Sequence, residues 1–249
     1  MTDSYRALCS DFYLNQKLNL KLDLPKDRQT VLDLFDRVRR QFPEMGQFRR
    51  YRDELALETT GGEGRSQWLS IRSNNIRSGI VNPDSFSDAY KLHRHILDVA
   101  PYFLSISPLD VDYIELLYGF DLAASGNHDQ IVFDALMEGS LLSEVLDIEG
   151  AEVSDCQPVM GVKVHDEVDI EVHFEIKTRS SSEAASGPDG AGDPISVYLT
   201  LRRYGPEQDV RQLGEALSIL ARQGERFIES RVVPNLLVPI RNVIIAGSY

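Results

Sequence analysis

The sequence predicts an α+β protein of two related halves, each an antiparallel sheet with helices packed on one face. Three observations lead there. Stretches of alternating apolar and polar residues, such as 12–24 and 111–122, read as half-buried strands. Stretches with apolar residues three and four apart, such as 86–103, read as amphipathic helices. The order strand, helix, strands, helix then runs twice, over 10–107 and again over 110–233. The expected organisation is a first half at 1–108, a second half at 109–233 and an apolar C-terminal tail at 234–249.

In the first strand Leu14, Leu18, Leu20, Leu22 and Leu24 share one parity, with Gln16 the exception. Asn15, Lys17, Asn19, Lys21 and Asp23 take the other, and Pro25 ends the run because it cannot donate to a ladder. Val31, Leu34, Phe35, Val38 and Phe42 then recur at helical spacing, with Asp27 as the expected cap and Pro43 as the stop. Residues 49–60 read as one strand, and Gly61–Gly64 as a turn. Residues 65–81 read as one long strand, or as two broken near Asn74 and Asn75. The helix over 84–104 buries Phe86, Ala89, Tyr90, His93, Ile96, Leu97 and Ala100, and Pro101 kinks or ends it.

The second pass opens with the strand 111–122. A helix over 128–146 comes next, capped by Asn127 or Asp129. Residues 164–177 read as one strand. The Ser-, Ala- and Gly-rich stretch 180–193 reads as a mobile loop, since its composition cannot pack. The strand 195–204 makes a long-looped hairpin with 164–177. The last helix runs over 209–233, and the tail reads as apolar and irregular. That tail either folds back as an edge strand or docks on another subunit by strand addition or groove filling.

Taken together, the layout resembles that of a sporadically distributed family of uncharacterised bacterial proteins with two related α+β halves. The resemblance is carried by the Leu-rich opening strand and its helix, the middle strand bearing Trp68, and the helix ending in Pro101–Phe103. The Tyr-containing strand 113–122 and the closing helix complete it. Tyr118, between Leu117 and Gly119, departs from the Arg-Tyr-hydrophobic-Asn pattern of that family's central strand. The resemblance implies this fold layout and carries over no catalytic residue.

Charge and motifs narrow the function. A formal net charge of −13 in 249 residues argues against non-specific binding to nucleic acid or to an anionic membrane. Cys9 and Cys156 make neither a disulfide framework nor a zinc ribbon. With no apolar span and no secretory signal read at the N-terminus, the expected compartment is the cytoplasm. GGEG lacks the lysine and succeeding helix of a P-loop, and no GxSxG, HExxH or CxxC occurs.

The stretch HDEVDIEVHFEIK carries His165, Glu167, Asp169, Glu171, His173 and Glu175 at every second position. On one strand these would share a face about 6.5–7 Å apart. Such a row has two readings. It is the wet side of a sheet, compensated by Lys163, Lys177, Arg202 and Arg203. Alternatively, His173 with Glu171, Glu175 and His165 holds a metal ion, with a further ligand from a facing strand. His93 and His95, two apart on a helix, point to different faces; His93 lies on the apolar stripe and is expected as a core or interface residue, not a ligand. Arg49, Arg50 and Arg52, after Arg37, Arg39 and Arg40, make the N-terminal region locally basic and able to meet a phosphate or an acidic partner.

The sequence therefore points to a non-enzymatic binding or assembly module. Its protein partner, or a second copy, would be met through Leu236, Leu237, Val238, Ile240, Val243, Ile244 and Ile245 of the tail. No cofactor, nucleic acid or membrane is expected. The alternative is a metal-binding protein or metal-assisted enzyme built on the row at 164–177.

Overall fold

The opening alternation becomes β1 (Asp11–Leu20), whose even-numbered side chains are buried, Gln16 among them. The structure, a computed structural model, describes residues 4–25, 27–60, 64–146, 148–165, 168–178 and 193–247. After β1 comes α1 (Arg28–Gln41). The Asp27 carboxylate accepts from the Thr30 amide 3.1 Å away and so satisfies one of the helix's first unpaired donors. Val31, Leu34, Phe35 and Val38 are its buried stripe. Each such side chain contributes about 1.5–3 kcal/mol of apolar burial.

Residues 49–60, expected as one strand, turn back on themselves. β2 (Gln47–Arg50) and β3 (Leu55–Glu58) form a hairpin closed between Tyr51 and Glu54. The polar run Arg49–Glu54 is what breaks the strand there. β4 (Ser66–Ile71) and β5 (Asn75–Val81) take the two-strand form of the next stretch, with the break between Arg72 and Asn75. α2 (Phe86–Phe103) keeps Pro101 in its last turn and ends there.

β6 (Val111–Leu122) begins the second pass. The helix expected over 128–146 stops early. α3 (His128–Leu136), capped by Asn127, gives way to Gly139 at φ +74°, a conformation glycine adopts without strain, and only a short turn of helix, α4 (Ser143–Leu146), remains. β7 (Val159–His165), β8 (Asp169–Lys177) and β9 (Ile195–Tyr204) complete the strands. β8 and β9 form the expected hairpin, while residues 180–192 of the loop between them lie outside the described residues.

Among the described residues, nine strands form one antiparallel sheet in the order β2-β3-β4-β5-β1-β6-β9-β8-β7. In register, Ile80, Leu14, Tyr118 and Leu199 stand side by side across its middle, all buried on the face that the helices cover.

The C-terminal region corrects the expectation of an irregular tail. α5 (Leu213–Phe227) passes into a π-helical stretch (Ile228–Leu237) and then α6 (Val238–Ala246), so helix runs on through Pro234 and Pro239. Proline has no amide hydrogen to give and collides with the preceding turn of an α-helix. The wider turn, in which the Val238 amide reaches back five residues to the Val233 carbonyl, absorbs the fault. α5 crosses β6 so closely at Gly224 that a Cβ there would sit 2.4 Å from the Tyr118 ring.

Candidate functional site

The row of acids and histidines is divided between two strands. The chain reverses between His165, the last residue of β7, and Asp169, the first of β8, and these two are cross-strand partners. His165 Nδ1 lies 2.8 Å from Asp169 Oδ1. A single strand over 164–177 is thus corrected to the end of one strand and the whole of the next. Glu167 lies outside the described residues. A signal was present: Asp166 falls on the parity otherwise held by Val164, Val168 and Ile170, so the alternation fails at that point.

Glu171, His173 and Glu175 do share the open face of β8, away from the helices. Their facing residues are Arg202, Thr200 and Tyr198 on β9 and Lys163, Gly161 and Val159 on β7. None of these six offers a carboxylate, imidazole or thiol, so neither facing strand supplies the further ligand that a metal site would need. Among the described residues, no three His, Cys, Asp or Glu side chains are grouped to hold a metal ion. The His173 ring instead lies over Gly161, where a Cβ would be 2.9 Å from its Cδ2.

The carboxylates are engaged by neighbours. Arg202 donates through Nη2 to Glu115 at 2.6 Å and through Nε at 3.0 Å, and through Nη1 to the Tyr204 hydroxyl at 3.2 Å. That hydroxyl donates to Glu171 at 2.8 Å and holds its carboxyl below the ordinary range. The Arg202 guanidinium also stacks 4.3 Å from the centroid of Tyr113, whose hydroxyl accepts from Lys17 at 2.7 Å. Glu175 pairs with Lys177 at 3.2 Å. Of the four basic residues expected to balance the row, Lys163, Lys177 and Arg202 stand on its side. Arg203 does not: adjacent residues of a strand face opposite ways, and it pairs with Glu207 at 3.1 Å instead. Pairs of this kind link β6, β8 and β9 across the open face of the sheet.

His93 is fully buried in the core, and His95 packs its ring against Phe42 on the side toward α1. The Ser78 hydroxyl lies 2.8 Å from His93 Nδ1 and donates to Gln16 at 3.1 Å, a small polar group between β1, β5 and α2. Burial pushes the His93 imidazole down to about 3, so it is neutral. Farther along α2, the Tyr90 and Tyr118 hydroxyls are 2.7 Å apart, beside a cavity of about 510 Å³ between α2 and α5. Burial raises both phenols above their ordinary range.

The tail residues separate into two sets. Leu236, Leu237 and Ile240 are buried within their own chain; Val238, Val243 and Ile244 are half-buried, and Ile245 is exposed. α6 packs against α3. The large exposed apolar residues lie elsewhere. Val159, Met160 and Val162 on the edge strand β7 are each about half exposed or more. Leu141, Leu142, Val145, Leu146 and Ile148, in and around α4, are exposed too, Leu141 to 83%. Sequence reasoning missed this surface because it placed 128–146 in a single packed helix.

No protein-family model matches the chain, and no curated protein matches it. Among solved structures, the crystal structure of the di-domain ARO/CYC BexL from the BE-7585A biosynthetic pathway aligns over 93% of this chain and 98% of its own, at 9% identity and a TM-score of 0.22. A likeness that slight carries no argument about fold or function. Among the described residues, no helix is long and apolar enough to cross a membrane.

Proposed function

We propose that the chain is a non-enzymatic assembly module made of two related α+β halves, whose second half docks on a second copy. Strand order supports the relation between halves. β1 and β6 run side by side at the middle of the sheet, and outward from them come β5-β4-β3 on one side and β9-β8-β7 on the other. In each direction the last strand of a pass returns beside its first. The helices that close the two passes, α2 and α5, meet over that centre, where Arg94 donates to the Gly214 carbonyl at 3.1 Å.

The observation that carries docking is the exposed apolar surface at one end of the sheet. Met160 and Val162 point to the helix-covered side, in register with Phe174 and Val172, yet remain about half exposed. The chain also holds exposed apolar side chains in and around α4, namely Leu141, Leu142, Val145, Leu146 and Ile148. In this reading that element of one copy covers β7 of the other, and the exchange is reciprocal, as two-fold symmetry requires. The tail is not the docking element here, because Leu236, Leu237 and Ile240 are already enclosed.

Light scattering on the full chain over a concentration series tests this. The expected result is a dimer mass, reduced to a monomer by Val162→Lys and equally by Val145→Lys, with the melting temperature of the monomer unchanged. A wild-type monomer at every concentration, or a dimer that survives both substitutions, overturns it.

A further inference from the structure

A different place in the fold forms a cavity. The strand β2 ends the sheet opposite β7, and around it the first turn of α1, the Tyr51–Glu54 turn and the Arg72–Asn75 turn enclose a cavity of about 620 Å³. That volume is within the range of small-molecule sites. Its floor is apolar, built from Val31, Phe48, Leu55 and Ile71.

Its rim is cationic. Arg50 shares with Phe48 the α1 side of β2, since Phe48 lies in register with buried Leu57 and its ring is 5.8 Å from that of Phe35. Arg28 comes from the start of α1 and Arg52 from the β2–β3 turn. Among the described residues none of these three guanidinium groups has an ion-pair partner, whereas Arg72 beside them is held by Glu54 at 2.5 Å. Asp53 on the rim leaves an excess of positive charge, in a protein whose formal charge is −13. In so acidic a chain, three uncommitted arginines gathered round one apolar hollow are the groups suited to an oxyanion. Their planar forks match carboxylate and phosphate oxygens in pairs.

We infer that this cavity binds a small amphiphilic anion. A phosphate or carboxylate head is held by Arg28, Arg50 and Arg52, and an apolar body lies on Val31, Phe48 and Ile71. The site is separate from the β7 surface and does not depend on self-assembly.

Titration calorimetry of the full chain with octyl phosphate, octanoate, inorganic phosphate and 1-octanol tests it. The expected result is one saturable site per chain for octyl phosphate or octanoate. Binding should be at least about tenfold tighter than for inorganic phosphate, and absent for octanol, because charge and apolar contact act together. Whichever octyl anion binds tighter names the head group. The double substitution Arg50→Ala, Arg52→Ala should weaken binding at least about tenfold at an unchanged melting temperature, since both side chains are exposed. No saturable binding of either octyl anion, phosphate binding as tightly as its octyl ester, or undiminished binding by the double variant would each overturn the proposal.

Discussion

The two ends of the nine-stranded sheet are finished differently. At the β2–β4 end α1 lies on the sheet and sinks Val31, Leu34, Phe35 and Val38 into the core. At the β7–β8 end the equivalent place in chain order holds α3, which buries chiefly Val132 among its apolar residues before Gly139 breaks it. Cover there comes from the C-terminal rod: α5 lies on β6 and β9, the π-helical stretch on β9, and α6 on α3. It reaches β8 at Phe174, whose ring is 6.3 Å from Phe227, and β7 beyond stays exposed. One missing helical stretch thus leaves a core-side apolar surface exposed. The contrast teaches that a sheet is closed by whichever apolar element reaches it, not by the element next in sequence.

The largest test removes the rod's end. Deletion after Val233 takes Leu236, Leu237 and Ile240 out of the core, at about 1.5–3 kcal/mol each. The melting temperature should fall on the order of 10 °C or more. An unchanged melting curve would mean that α6 does not close this end. Next comes a matched pair: Leu34→Ala under α1 should cost about 2–5 kcal/mol in urea unfolding, as buried leucines do. Val162→Ala on β7 should stay within about 0.5 kcal/mol in the monomer. Comparable losses at both sites would erase the difference between the ends.

Acid should weaken the covered end through His93. Its folded value of about 3 lies below the ordinary 6.5, so the unfolded chain binds a proton that the folded chain refuses. Stability from this group is complete above pH 6.5 and falls as the pH drops from there toward 3, by about 1.4 kcal/mol per pH unit. His93→Gln should flatten the dependence measured between pH 6.5 and 4.5; parallel slopes for the two proteins would remove His93 from the account. Smaller still, Arg202→Gln strands the mostly buried Glu115 and should cost about 1–2 kcal/mol. Glu171→Gln, on the exposed side of the same network, should change urea stability by less than about 0.5 kcal/mol. A Glu171 effect as large as that of Arg202 would show the open face to be more tightly coupled than its exposure indicates.

Much of the fold was legible along the chain wherever the cause was local. The alternation of β1 and β6, the stripe of α1, the caps at Asp27 and Asn127 and the burial of His93 all depend on neighbours a few residues away. Errors came where two local signals competed. The polar runs at 49–54 and 165–169 hid turns, because a charged residue suits the wet side of a strand and a turn equally well. The reading that ends the last helix at 233, just before Pro234, is overridden by the π-helical stretch.

The candidate surfaces were legible only in part. The arginines at 50 and 52 stood out in the sequence, but that they line one cavity with Arg28 and Phe48 did not. The apolar content of 141–148 was visible, but not that it would be left unpacked. Periodicity and capping are short-range, so the amino-acid order was enough to set which residues alternate, which coil and which faces are apolar. Which apolar face finds a cover depends on contacts between distant residues, such as Lys17 with Tyr113 or Arg94 with Gly214. Those exist only once the strands have taken their order in space, and it is that order which leaves β7 bare.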